Sequence, residues 1–559
     1  MLNKIDFPNP AFIREDYTIF NDGWQFSFDQ KEWQPINLPF SPESSLSGIS
    51  VEKSAFLYQC YYRKSFSYHP NGKRVLIRFG AVDYRTVLLV NGRYAGMHVG
   101  GYTSFHFDIT DLLKDGENLL ELTVYDDPLA SQPHGKQCHR PLPVSCLYTR
   151  TTGIWQSVWL EYAPAVRVEK IFLTPNAEKG YVKAEIFTNG VENCKITVSY
   201  AGKTVGLWKG QVGFRKKIKI NLSEKHLWEI DNGLLYDVEV RYGEDEVHTY
   251  FGLRDACYKG YDFLLNGKPV FQKLVLDQGF YPDGVITAPS VDAMQKDIEL
   301  GRRLGFNGAR LHMKVFDPRH LYLCDKAGYM VWGEFPNWGM DVDTMDYYGQ
   351  FLSEWCEAMT RDFNHPSIIT WCPLNEVRGD LKHKQREPNF LTGVYEFTKK
   401  FDPSRPCVDA SGGHHGYKTD LFDFHYYATR EQTVAALDRL EKEDILVDGD
   451  IYLYNVKDRI RYKKGLPVNL SEYGGFAFKR KAADGELFAY GNETGDGDEF
   501  VKSYREVTEI LFQYKKLSGF CYTQLYDVEQ EQNGFYYYDR TDKLTEAQKD
   551  EIRKINSIR

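Results

Sequence analysis

Residues 364–379, NHPSIITWCPLNEVRG, decide how the rest of the chain is read. The middle, Ile368-Ile369-Thr370-Trp371-Cys372, is an unbroken run of β-branched and aromatic residues. That is the pattern of a strand buried on both faces, as in a parallel sheet. The run stops at Pro373, and Asn375-Glu376 follow at once. A carboxylate at the carboxyl end of such a strand is costly unless it is paired or used. Glu376 can cap the next helix or pair with Arg378, or it can do chemistry. A second stretch of the same form, residues 466–474, LPVNLSEYG, runs into Glu472. Two carboxylates are the minimum equipment for cleaving a glycosidic bond.

Outward from these stretches, strand and helix signals alternate from residue 257 to the end, which predicts a parallel α/β fold. Strand 1 runs into Asp277. Strand 2 is Gly308-Ala309-Arg310-Leu311-His312. Strand 3 runs from Tyr329 into Glu334 and on to Asn337 and Trp338. Strand 5 is predicted over 406–410, strand 6 over 422–427 and strand 8 over 519–525. Helices are predicted from the Ser290 cap to Leu304, over 351–361 and over 499–516. Eight strands with helices between most of them fit a (β/α)8 barrel over 257–559. The link between strands 6 and 7 is long, charged and unassigned.

Residues 1–163 read as all-β, with strands at 73–79, 86–90 and 119–124 and a hairpin turn at Asn91-Gly92. From 164 to 256 alternation continues in shorter strands, the pattern of a small immunoglobulin-like β-sandwich. The net charge of -9 over 559 residues includes no block long enough for a nucleic-acid or membrane surface. No apolar run reaches signal-peptide or membrane-spanning length. The 10 Cys are spread singly, without the paired spacing of a zinc site or disulfide framework, so reduced thiols and a cytoplasmic location are expected. Aromatic residues make up 15%, and most are assigned to β-sandwich cores.

The strings N-H-P-S-I-x-x-W-x-x-x-N-E, ending at Glu376, and S-E-Y-G, around Glu472, resemble glycoside hydrolase family 2. That family contains β-galactosidases, β-glucuronidases and β-mannosidases. The string from Gly153 to Glu161 is similar to the end of its N-terminal β jelly roll, and 80–84 to the central strand of that domain. Phe251-Gly252-Leu253-Arg254 is similar to the string before its barrel. The resemblance implies a jelly roll that packs on the barrel and lends it a loop or two, an immunoglobulin-like β-sandwich, and a catalytic TIM barrel.

It also implies Glu376 as acid/base and Glu472 as nucleophile, with retention of configuration and a carboxyl separation of ~5–5.5 Å. Arg310 stands beside the nucleophile, where a cation favours the ionised form. Asn375 takes the sugar 2-hydroxyl, and Tyr427 orients the nucleophile, with Tyr426 as the alternative. Asp277, His312, Trp338 and His425 are candidates for sugar contact or scaffold bonding, and Glu334 for a supporting role. The string from Asp527 to Gly534 characterises some smaller family members, without roles for its residues.

Glucuronidases of the family read the substrate carboxylate with Asn-x-Lys after the last strand; here Asn533-Gly534-Phe535 lacks the Lys. Asn455-Val456-Lys457 has the letters in another place. The additional carboxy-terminal domains and Mg²⁺ site of large β-galactosidases are not expected. The reading is therefore a cytoplasmic exo-β-glycosidase without cofactor, β-galactoside favoured. Its partner is a small oligosaccharide or glycoside, and self-association is left open. Glucuronide, mannoside, galacturonide and arabinoside specificities remain alternatives, as do transglycosylation and a non-catalytic carbohydrate-binding protein.

Overall fold

The computed structural model describes residues 2–52, 54–377, 388–444, 446, 462–478 and 487–559. Arg378, the Asn455-Val456-Lys457 triplet and residues 445 and 447–461 of the link between strands 6 and 7 lie outside these described residues; the link opens with the helix Arg430–Glu443. In the carboxy-terminal part seven parallel strands form one sheet. Their spatial order is Ile368–Cys372, Met330–Glu334, Gly308–Leu311, Gln272–Asp277, Leu517–Thr523, Val468–Gly474 and Phe422–Tyr426. Residues 406–413 join the two edges. Trp371 bridges Cys407, and Asn375–Val377 pairs in parallel with Ser411–Gly413. The result is a (β/α)8 barrel.

The fifth strand is less regular than the sequence predicts. Pro406 has no N–H to donate, and Gly412 and Gly413 take φ of +64° and +68°, which ends the extension. The helix caps follow side-chain chemistry. Ser290 accepts from the Ala293 amide at the start of Val291–Arg303, and Asp496 caps Gly497–Leu511. That last helix stops before the predicted Lys516 because the Glu441 carboxylate takes the amides of Lys515 and Lys516, at 3.0 and 3.1 Å.

The amino-terminal strands form a six-stranded and a four-stranded antiparallel sheet whose inward residues, among them Phe26, Leu122, Ile77 and Leu160, share one core. This is the jelly roll. Residues 80–84 are not its central strand: only Val82–Asp83 is extended, paired with Gly153–Ile154. A Cβ on Gly80 would lie 2.7 Å from Gln156, and one on Gly101 2.3 Å from Asp83. The chain leaves the sheets here to reach the barrel. Ala81, Tyr102, Tyr148 and Trp155 accordingly belong to the barrel's own apolar core.

The middle segment departs from the expected short strands. Its centre is one hairpin of 20 and 19 residues, Tyr181–Tyr200 and Lys203–Asn221, broken by a bulge between Phe187 and Val191. The first half pairs with Val168–Asn176 and the second with Tyr236–Tyr242, and both halves feed one core.

The first residues of the N-H-P-S string are joints. Asn364 bonds the backbone of Ile171 and Leu173 at 3.0 and 2.9 Å, and His365 meets Asp325 at 2.6 Å. Arg254 donates to the carbonyls of Pro366 and Ile368. Among the described residues no helix is long and apolar enough to cross a membrane.

The junction of jelly roll and barrel contains a proton switch in stability. Glu354, buried in the helix Tyr348–Asp362, accepts from Tyr84. Burial pushes its pKa up to about 8, although Tyr84 and Gln350 favour the charge. From the unfolded value near pH ~4.3 up to about 8, the folded chain keeps a proton that the unfolded chain has released. Stability therefore falls as pH rises through that window. Glu354→Gln, with no proton to lose, is expected to melt several degrees above wild type at pH 8.5 and close to it at pH 4.5. Parallel melting curves at the two pH values check this.

Candidate active site

The carboxyl ends of the barrel strands converge on Arg310, whose side chain is wholly buried. Its register beside Leu276 and Trp332 in the parallel sheet fixes its direction. The guanidinium donates to Glu334 at 2.6 Å, the Ser471 carbonyl at 2.7 Å, Asn375 Oδ1 at 3.0 Å and Glu472 at 3.2 Å. One cation thus ties the ends of strands 2, 3, 4 and 7 together. Burial opposes the charge on Glu334, but Arg310 and His312 hold its pKa down at about 2.

Glu376 and Glu472 meet across the barrel mouth. His425 Nδ1 lies 2.8 Å from Glu376 Oε1 and 3.3 Å from Glu472 Oε2. These three atoms are within 4.8 Å of one another, a spacing that also admits a cation. A proton on Nδ1, between two carboxylate oxygens, meets the same electrostatic need. Nε2 faces Ser411 Oγ at 3.0 Å, which contacts Ser471 Oγ, itself a donor to Asp423. Gly412 lets the imidazole in: a Cβ there would sit 2.6 Å from the ring.

Tyr427 donates to the same oxygen, Glu472 Oε2, at 2.6 Å, while Arg310 holds Oε1. Burial and the Glu376 charge raise the Glu472 pKa; His425, His312 and Arg310 outweigh them and leave it lowered. Glu376 has φ of +42°, a left-handed conformation that costs a non-glycine residue ~1–3 kcal/mol and is often kept at functional sites.

Residues 259–539 match the model described as "Glycosyl hydrolases family 2, TIM barrel domain", and residues 47–164 match its "sugar binding domain". The chain belongs to glycoside hydrolase family 2. Among curated members it is 25% identical to a β-galactosidase of Thermoanaerobacter pseudethanolicus, over 85% of this chain and 61% of that one. It is also 25% identical to a β-glucuronidase of Canis lupus familiaris, over 72% and 68%. The chain spans 48 to 68% of the length of the first three curated relatives it matches.

Among solved structures, a family 2 β-galacturonidase from Eisenbergiella tayi bound to galacturonate superposes with a TM-score of 0.77, at 21% identity over 97% of this chain and 98% of that one. A β-glucuronidase from Ruminococcus gnavus in complex with D-glucuronic acid gives 0.78, at 18% identity with the same coverage. These two likenesses bear on the fold.

Within this family 2 site, most residues singled out from sequence come together. Asn375 is held by Arg310 and by Asn337, which accepts from its amide at 2.8 Å. Trp338 Nε1 donates to the Asn375 carbonyl at 3.2 Å. His312 Nδ1 is 3.2 Å from Glu334, with Nε2 3.9 Å from Glu472, and burial lowers its pKa. Tyr426 packs against the barrel core. Asp277 stands apart: its carboxylate is bonded to the Tyr526 hydroxyl and the Gly279 amide, and burial raises its pKa to about 6.

Four groups at this site were not assigned a part from sequence. Asn337 was visible as the residue before Trp338. Glu531 lies in the string left without roles, and the Tyr148 hydroxyl donates to its Oε2 at 2.6 Å. Tyr490 stacks on Tyr427 at 4.4 Å, nearly parallel. Lys136 comes from the jelly roll and places its ammonium over the Trp338 ring, 4.4 Å from the centroid.

Proposed function

We propose that the chain is a retaining exo-β-glycosidase in which Glu472 attacks the anomeric carbon while Glu376 protonates the departing glycosidic oxygen. The observation that carries this is the pair of carboxylates with oxygens within 4.8 Å, joined through His425. That separation suits double displacement and leaves too little room for the intervening water of an inverting enzyme. The Arg310 cation and the donors around Glu472 keep the nucleophile ionised. After attack, Glu376, now a carboxylate, takes a proton from the incoming water that releases the sugar. Asn375, fixed by Arg310 and Asn337, is placed to hold the sugar 2-hydroxyl, a contact that strengthens as the ring becomes oxocarbenium-like.

The jelly-roll loop that carries Lys136 walls one side of the site, which suits a terminal sugar. The unpaired cysteines accord with a cytoplasmic location. The curated relatives named above divide between galactosidase and glucuronidase. The absence of Lys from the Asn-x-Lys position favours a neutral β-galactoside, while a cation supplied from elsewhere favours a uronide. Initial rates on a panel of 4-nitrophenyl β-glycosides, with the released anomer followed by NMR, test the reading. Release of the β-anomer from a β-glycoside is expected. Silence across the panel from folded protein, or release of the α-anomer, would overturn it.

A further inference from the structure

Lys136 is 4% exposed, yet its ammonium forms no ion pair or hydrogen bond among the described residues. A buried ammonium without a partner is costly, and chains retain one where something compensates. The chain also holds it there by several bonds. The Lys136 carbonyl accepts from the Tyr148 amide at 2.7 Å. The amides of His134 and Gly135 donate to the Trp338 carbonyl. Gln530 donates to the carbonyls of Ser145 and Leu147, and the Thr149 amide bonds Glu529. The loop is thus clamped between the segments that follow barrel strands 3 and 8.

The ammonium lies over the Trp338 ring, whose Nε1 bonds the carbonyl of Asn375, the residue before Glu376. Burial disfavours its charge, and the surrounding groups, among them the carboxylates of Glu531, Glu472 and Glu376, more than offset that. None of these carboxylates is positioned to pair with it. Glu472 is already held by Arg310 and Tyr427, and Glu376 by His425. The carboxylate that weighs most on it is Glu531, whose own pKa is raised by burial although Lys136 and Tyr148 favour its charge. Beside Glu531, Asn533 is fully buried.

Resting on the glycosidase reading above, we propose that Lys136 is the specificity-determining cation of the sugar subsite, binding the carboxylate of a β-linked hexuronic acid. Its three N–H donors, backed by the Trp338 face, would meet an anion with charge-assisted bonds. The cation missing from the last barrel strand is on this account delivered by another domain.

The test compares kcat/KM on 4-nitrophenyl β-D-glucuronide, β-D-galacturonide and β-D-galactoside for wild type, Lys136→Met, Lys136→Arg and Lys136→Met/Glu531→Gln. Wild type is expected to prefer a uronide. Lys136→Met should lower the uronide-to-galactoside ratio by about 100-fold, mostly through KM, and Lys136→Arg should restore part of it. An unchanged ratio, or a wild type that turns over only the neutral sugar, overturns the assignment while leaving the glycosidase reading intact. Recovery of the ratio in the double variant would show that Lys136 serves only to neutralise Glu531, and also overturns it.

If no glycoside is cleaved, the glycosidase reading fails. Calorimetric titration with D-glucuronate, D-galacturonate and D-galactose then decides the role of Lys136. Uronate binding lost in Lys136→Met supports it, and binding absent or equal in both proteins refutes it.

Discussion

Glu472→Gly lowers kcat on an activated aryl β-glycoside by about 10⁴- to 10⁶-fold, the scale of loss when a covalent nucleophile is removed. Azide then restores turnover and yields a glycosyl azide of inverted configuration. The first half follows from position: Glu472 is the carboxylate held ionised by His425, His312 and Arg310 and steadied by the Tyr427 hydroxyl. The second follows from space. Removing the side chain opens a slot beside Arg310, a cation that suits a small anion. Glu376 still protonates the leaving group, so one displacement by azide completes the reaction, and a single displacement inverts. The matching change at Glu376 separates the two roles. Glu376→Ala should spare kcat/KM for substrates with acidic leaving groups, which need little protonation, and lose it on alkyl glycosides, while kcat falls for all because the water loses its base. Product configuration by NMR and leaving-group dependence decide the point. A retained azide product, or equal losses of kcat/KM on all leaving groups, would reverse or remove the assignments.

Parts of this site could be read from sequence because a parallel barrel turns strand ends into neighbours. Glu376, Arg310, Tyr427 and Glu472 each lie at the end of a buried run, and such residues share one face whatever their separation along the chain. Period two along strand 6 favours Tyr427 over Tyr426 without deciding between them. The overall architecture was legible for a related reason, since the change from period two to strand-helix alternation near residue 257 marks the start of the barrel. Lys136 offered no such signal. It lies in an irregular loop, where a lysine reads as a solvated surface residue, and its burial depends on clamping by segments hundreds of residues later. The long hairpin of the middle segment was read as short strands because alternation breaks at a bulge, and sequence does not distinguish a bulge from a turn. Asp277 ends a strand like the others, but Tyr526 and Gly279 occupy its carboxylate, and strand position does not reveal which partner claims a side chain.

Arg310→Met is expected to cost both fold and chemistry, with opposite dependences on pH. The guanidinium is the principal partner of Glu334, so its loss leaves a buried carboxylate with His312 and the Met313 amide. Stripping one partner from a buried pair costs about 3–5 kcal/mol. In wild type, with Glu334 held at about 2, the stabilisation is complete above the unfolded value and fades as pH falls toward 2. In the variant, burial raises that pKa and penalises the ionised form. The gap in melting temperature should therefore be widest near pH 7.5 and narrow by pH 4. Activity moves the other way. Glu472 loses a cation, its pKa rises, and the acid limb of kcat/KM shifts toward neutral, so the deficit in rate deepens as pH falls. A roughly 10³-fold loss is expected near pH 7, the scale of removing one preorganised group from a reacting charge. Arg310→Lys, which keeps the charge but not the fork, should recover more of the acid limb than of the melting temperature, because one ammonium cannot bond Glu334, the Ser471 carbonyl, Asn375 and Glu472 together. A variant that melted lower by the same margin at every pH, with an unmoved acid limb, would show Arg310 to be packing alone.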